Sequence, residues 1–97
     1  MREKTLERMF VQAIKKSGGI APKFVSPGFD GMPDRIALLP GGILTFVEVK
    51  AMGCAPRPLQ IARHEQLRQL GFKVYVLDDA RQIPGIIYEM GGGSDGA

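Results

Sequence analysis

The chain carries one cysteine, Cys54, and one histidine, His64. A lone cysteine cannot close an internal disulfide, which fits a reducing compartment. One histidine has no second histidine with which to build a zinc site, so His64 reads as a surface or packing residue rather than a ligand. Cys54 lies in a loop without the partner base of a catalytic thiol and receives no role. Long apolar runs are missing too. No stretch approaches the roughly 20 residues of a membrane span, and the first ten residues, MREKTLERMF, lack the apolar core of a signal peptide. A soluble, cytoplasmic protein with no membrane partner is expected. No internal repeat or domain boundary interrupts the 97 residues. One domain is predicted over residues 1–90, followed by a disordered glycine-rich tail at 91–97.

What is present is ordinary for a globular chain: 44% hydrophobic and 24% charged residues, with a net charge of +3. Such a composition argues against wholesale disorder. The positive charge favours an anionic partner only weakly, because many basic proteins bind nothing acidic. A domain this small has a modest core, which self-association can supplement.

Leu6, Met9, Phe10, Ala13 and Ile14 recur at helical spacing and predict a helix over 3–17, stopped by Gly18-Gly19. Glu3 and Glu7 fall inside its apolar arc, where an unpaired carboxylate is costly. Glu7 has Val11, not a base, four residues on. On the helix alone it fits an edge residue whose carboxylate reaches water.

An extended piece from Lys23 to Ser26 leads into a loop marked by Pro27, Gly28, Gly31 and Pro33. Strands are predicted from Asp34 to Leu39 and from Ile43 to Lys50, joined by the turn Pro40-Gly41-Gly42. After a loop over 51–57, a second helix starts at Pro58 and ends before Gly71. Leu59, Ala62, Leu67 and Leu70 are its expected buried side. A strand from Phe72 to Leu77 follows, with Phe72 and Tyr75 as core residues. Strand, helix and strand make a parallel crossover unit. Asp78-Asp79 suits a helix start, but Pro84-Gly85 is expected to interrupt any regular helix beyond it. The whole is an α/β domain around a mixed sheet.

The chemistry sits on the hairpin. Alternation puts Leu44, Phe46, Glu48 and Lys50 on one face of their strand. If the turn is three residues long, Leu39 pairs with Ile43, and Asp34 stands directly opposite Glu48. Opposed side chains have Cβ atoms about 4.5–5.5 Å apart and point the same way. Two carboxylates so placed repel unless a cation lies between them. Oxygen ligands without histidine or cysteine select a hard ion, Mg²⁺ or Mn²⁺. Lys50, roughly 6.6 Å further along that face, is within reach of a phosphate or an attacking water. A register slip of one residue would part the pair.

Gly31-Met32-Pro33-Asp34-Arg35, Phe46-Val47-Glu48-Val49-Lys50, Arg57-Pro58-Leu59-Gln60 and the run from Leu67 to Val76 together resemble a stand-alone VRR-NUC domain of the PD-(D/E)xK nuclease superfamily, the compact type found in phages and bacteria. The likeness spans about residues 3–78 and departs from the pattern at no motif position. It implies a restriction-endonuclease-like αβββαβ core. It also implies hydrolysis of DNA phosphodiesters with Mg²⁺ or Mn²⁺, on branched, flap or junction substrates, by a homodimer with no small-molecule cofactor. On this likeness Asp34 and Glu48 are metal ligands with the Val49 carbonyl, and Lys50 is the catalytic lysine. Glu7 is the first-helix acid, facing the metal directly or through water. Gln60 is the glutamine of the second helix, where the helical wheel also sets it on the flank of the buried side.

Arg57, Arg35, Lys15 and Arg63 are the foremost candidates for phosphate contacts, and Arg57 leads because it sits between Lys50 and Gln60. A non-catalytic DNA-binding module or a partner-binding domain would explain the basic charge or the apolar hairpin face. Either would leave Asp34, Glu48 and Lys50 a coincidence.

Overall fold

Leu6, Phe10 and Ile14, one turn apart, bury the inner side of α1 (Glu3–Lys16) in a computed structural model of the protein, which describes residues 1–91. A hairpin follows, β1 (Arg35–Leu39) and β2 (Ile43–Val49). Then come α2 (Pro58–Gln69), β3 (Lys73–Leu77), a 3₁₀ turn over Ala80–Gln82 and α3 (Ile83–Met90). The strands form one mixed sheet in the order β1-β2-β3, antiparallel across the hairpin and parallel across the crossover. The α/β class and the central mixed sheet therefore stand as the sequence predicts. The expected strand at 23–26 is only partly realised. Its neighbourhood meets β1 through two isolated bridges, Ile20 with Leu38 and Lys23 with Arg35, rather than a continuous ladder.

The two faces of the sheet are packed differently. Alternation turns Ala37, Leu39, Val47, Val49 and Leu77 toward α1 and α3, whose Leu6, Phe10, Ile14, Ile83, Ile86 and Met90 complete the main core. The opposite face has only a small cluster of Phe46, Leu67 and Val74, edged by Phe24 and Met32, under α2. Phe46 lies edge-on between Phe24 and Phe72, with ring centroids 6.0 and 5.6 Å away. A thin apolar layer on that side leaves room for polar groups beneath α2.

Three expectations need correction. Leu59, Ala62 and Leu70 are not buried, and the buried positions of α2 are Gln60, His64 and Leu67. Phe72 is exposed along part of its ring, and Tyr75 is half-buried with its hydroxyl donating to Glu89. Pro84-Gly85 does not break a helix. Pro84 occupies the first turn of α3, where its missing N–H has no intrahelical partner to lose. The cost of a mid-helix glycine, about 1 kcal/mol, is offset by burying Ile83, Ile86 and Met90. Asp79 caps the preceding turn by accepting from the Arg81 N–H at 2.9 Å, as its position suggests. Of the expected tail, Gly91 closes α3 in a left-handed conformation, and 92–97 lie outside the described residues. Among the described residues no helix is long and apolar enough to cross a membrane.

Register is the feature on which the site depends. Gly41 and Gly42 both adopt positive φ, 95° and 76°, and fold the hairpin tightly enough that Leu39 pairs with Ile43 and Arg35 with Val47. The pairing at Gly19 is just as demanding. A Cβ on Gly19 would lie 1.9 Å from the Leu38 carbonyl oxygen, which accepts the Ile20 N–H beside it at 3.0 Å. Backbone cannot step aside as a side chain can. Gly19→Ala is therefore expected to lower stability by about 3 kcal/mol or more. Urea denaturation measures it, and a variant as stable as the parent would contradict the close approach.

Candidate active site

Continuing the β1–β2 register by one step sets Asp34, the residue before β1, across from Glu48. The two carboxylates sit at the mouth of the α2 face. Asp34 is tied to the neighbouring strand by the Val49 N–H, which donates to its Oδ1 at 3.2 Å. Glu48 is almost wholly buried, with 2% of its surface exposed. The Gln60 Nε2 donates to its Oε2 at 3.1 Å, and the Lys50 Nζ is 3.6 Å from the same oxygen. Gln60 is aimed by the start of its helix: its own Oε1 accepts the Arg57 N–H at 2.8 Å, so the amide nitrogen must point at Glu48. The His64 Nε2, one turn further along α2, is 3.5 Å from Glu48 Oε1.

These surroundings shift both acids upward. Burial, followed by the charge of Asp34, pushes the Glu48 carboxyl up to about 7, against the smaller opposing effect of Lys50. Asp34 is raised as well, chiefly by burial. The Val49 N–H opposes that shift, and the charges of Glu7 and Glu3 add to it. Burial, then Arg68 and Lys50, push His64 below its ordinary value. Both shifts run in the direction expected where positive charge is scarce.

The donors fit a hard divalent cation. Glu48 Oε1 is buried and has no hydrogen-bond partner among the described residues, and both acids are oxygen donors. No group of three His, Cys, Asp or Glu side chains is arranged for a metal among the described residues. A cation here would rest on two carboxylates, with water and a backbone carbonyl such as that of Val49 filling other positions. Mg²⁺, which keeps several of its waters, tolerates such a sparse protein shell.

No family model matches the chain. It is 50% identical over 78 residues to "Putative nuclease p44" of Acyrthosiphon pisum secondary endosymbiont phage 1, covering 80% of this chain and 84% of that protein. A solved structure described as a VRR_NUC domain superposes with a TM-score of 0.83 at 31% identity, over 89% of this chain and 94% of the other. The chain belongs to the VRR-NUC family.

Within this VRR-NUC domain the structure brings together Asp34, Glu48, Lys50 and Gln60, and it holds Glu7 in an ion pair with Arg35. Arg35 alternates with Asp34, so its side chain crosses to the α1 side of the sheet. There its Nη2 meets Glu7 Oε2 at 3.1 Å and its Nη1 donates to the Ala21 carbonyl at 2.6 Å. The base that the helix pattern lacks for Glu7 comes from β1. Glu7 thus serves a largely buried ion pair, and its charge still reaches Asp34 across the sheet. Glu3, exposed one turn earlier, is felt at both Asp34 and Glu48. Glu7→Ala would leave the Arg35 guanidinium buried against a single carbonyl. A loss of about 2 kcal/mol in thermal or urea unfolding is expected, with Glu7→Gln losing less because its amide oxygen still accepts. Equal stability of Glu7→Ala and the parent would show that the pair contributes nothing.

The four candidate phosphate contacts divide as well. Arg57 is exposed at the start of α2 and makes no ion pair among the described residues. Lys15 is exposed and lines a groove with Lys4, Arg8 and Lys23. Arg63 is drawn into structure: its Nε donates to the Asp30 carbonyl at 2.8 Å, and its guanidinium lies 3.8 Å over the Phe29 ring. Arg35 is largely buried in its pair with Glu7 and lines the same groove as Lys15. His64 is the residue that sequence reasoning leaves out. Its signal lies in the four-residue spacing from Gln60, which sets both on one side of α2.

Proposed function

We propose that the chain is a metal-dependent deoxyribonuclease that hydrolyses DNA phosphodiester bonds at Asp34, Glu48 and Lys50. The observation that carries this is the cross-strand pair of acids, one of them buried with an oxygen that has no hydrogen-bond partner among the described residues, beside a lysine on the same face. The phage relative's name and the VRR-NUC fold support it. A divalent cation bound there supplies positive charge to the phosphate oxygens and lowers the pKa of its water. Asp34, braced by the Val49 N–H, and Glu48, braced by Gln60, fix its position from two strands. Lys50 presents its ammonium where the scissile phosphate gathers negative charge, and holds the attacking water by hydrogen bonding. Arg57 and Lys15, exposed and without an ion pair among the described residues, offer their cations to the flanking phosphates.

The proposal extends to structure-selective cutting of branched, flap or junction DNA, and to a homodimer. For the dimer, the support is β3, which has no partner on its outer side among the described residues, flanked by exposed Leu70, Phe72 and Tyr88. Sedimentation decides it, a monomer at working concentration removing the dimer. The activity is tested by incubating the protein with supercoiled, flap and branched DNA, with and without Mn²⁺. Cleavage that requires Mn²⁺ is expected. No cleavage of any substrate, with binding retained, would instead favour a non-catalytic DNA-binding module.

A further inference from the structure

α2 is built against the usual logic of an amphipathic helix. Its buried positions are Gln60, His64 and Leu67, while Leu59, Ile61 and Leu70 are exposed by 47, 54 and 70%. A helix rotated for apolar burial alone would reverse several of these. Something polar sets its rotation, and the group it faces is Glu48.

We propose that His64 is a positioning residue, which together with Gln60 grips the two oxygens of Glu48 separately and fixes the carboxylate in the orientation that receives a divalent cation. This rests on the nuclease proposal above. Gln60 holds Oε2 at 3.1 Å, and His64 Nε2 faces Oε1 at 3.5 Å. His64 Nε2 and Glu48 Oε1 are both buried, and neither has a hydrogen-bond partner among the described residues. Two orphaned polar atoms that face each other define one interaction, and a movement of about half an ångström closes it to ordinary N–H···O length. Each carboxylate oxygen has lone pairs to spare, so the grip leaves room for a cation. Groups that orient a metal ligand typically alter metal affinity by about 10- to 100-fold when removed. Gln60 and His64 stand one helical turn apart, so a single rigid element sets both contacts, and the Arg57 N–H sets the first.

The test uses the whole chain and Ca²⁺ as the probe, titrated by calorimetry at pH 8. His64→Leu fills the same apolar surroundings without a donor, and His64→Gln keeps an amide N–H on that side of α2. His64→Leu is expected to keep its far-UV spectrum and to bind Ca²⁺ about 10- to 100-fold more weakly. His64→Gln should recover most of the loss, and kcat with Mn²⁺ should follow the same order while KM for DNA holds. Folded His64→Leu that binds Ca²⁺ like the parent would overturn the role, as would His64→Gln no better than His64→Leu. If His64→Leu does not fold, long-range ¹H–¹⁵N spectra of the parent at pH 8 decide instead. A proton on Nε2 supports the grip, and a proton on Nδ1 alone overturns it. A parent chain that binds no Ca²⁺ or Mn²⁺ would remove the nuclease proposal along with this one, an outcome distinct from a failure of the His64 variants.

Discussion

Lys50→Ala is expected to slow DNA cleavage by about 10²- to 10³-fold while leaving the fold and DNA affinity nearly intact. Lys50 follows the last residue of β2 and is anchored by its own N–H to the Leu77 carbonyl at 2.9 Å, so its backbone position does not depend on the side chain. That side chain is only partly exposed, at 19%, and removing it opens a path to water rather than a sealed cavity. Two effects then act together. The positive charge beside the phosphate is lost. So is an influence that lowers the Glu48 pKa, which makes Glu48 keep its proton to higher pH and admit a cation less readily. The second effect predicts more than a lower rate: the rise of cleavage with pH should move upward in Lys50→Ala. Lys50→Arg should restore the pH position better than the rate, because a planar guanidinium keeps the charge but not the compact geometry. Single-turnover rates across a pH series, at a fixed subsaturating Mn²⁺ concentration and again at saturation, separate the two. A rate unaffected by Lys50→Ala would end the proposed role.

The site is legible in the sequence wherever one rule, strand alternation plus hairpin register, governs it. Proline and glycines at 40–42 set the turn, the turn sets the pairing, and Asp34, Glu48 and Lys50 follow from it. Gln60 is readable because a helix start and a helical wheel agree on its direction. Glu7 and Arg35 are not readable, because their pairing joins residues on two elements across the chain. Each looks unpaired when taken alone, and the ion pair between them emerges only in three dimensions. His64 is hidden for a related reason. A single histidine is a poor metal ligand, and nothing in the sequence reveals its distance to Glu48.

Leucines mislead about the fold. Leu59, Leu67 and Leu70 suggest one apolar side of α2, but the sheet face beneath offers Glu48 as well as Phe46. Satisfying a buried carboxylate outweighs covering a few leucines, so the helix turns Gln60 and His64 inward and leaves Leu59 and Leu70 in water. Pro84-Gly85 misleads in the opposite direction. Proline is a breaker inside a helix and a good first-turn residue, and which of these applies depends on where Asp79 starts the preceding turn.

Glu48→Gln is expected to abolish cleavage and cation binding while making the cation-free protein more stable at pH 8. The two consequences have one cause, the burial that raises the Glu48 carboxyl to about 7. Below about pH 4.5 the group carries its proton in both the folded and unfolded chain, and it contributes no pH dependence. Between about 4.5 and 7 the unfolded chain releases the proton while the folded chain retains it. The unfolded state then binds fewer protons, so stability falls as pH rises, by about 3 kcal/mol from this group. Above about 7 both forms are ionised and the loss is complete. Glutamine cannot ionise and can still accept from Gln60 or His64, so its urea midpoint should change less between pH 5 and 8 and should exceed the parent's at pH 8. Added Mg²⁺ or Mn²⁺ should reverse the order, because a bound cation stabilises only a folded chain that carries the carboxylate. A Glu48→Gln variant less stable than the parent at pH 8 without cation would mean that the Gln60 and Lys50 contacts outweigh the burial. Glu48 would then be an internal ion-pair residue rather than an acid held in wait for a metal.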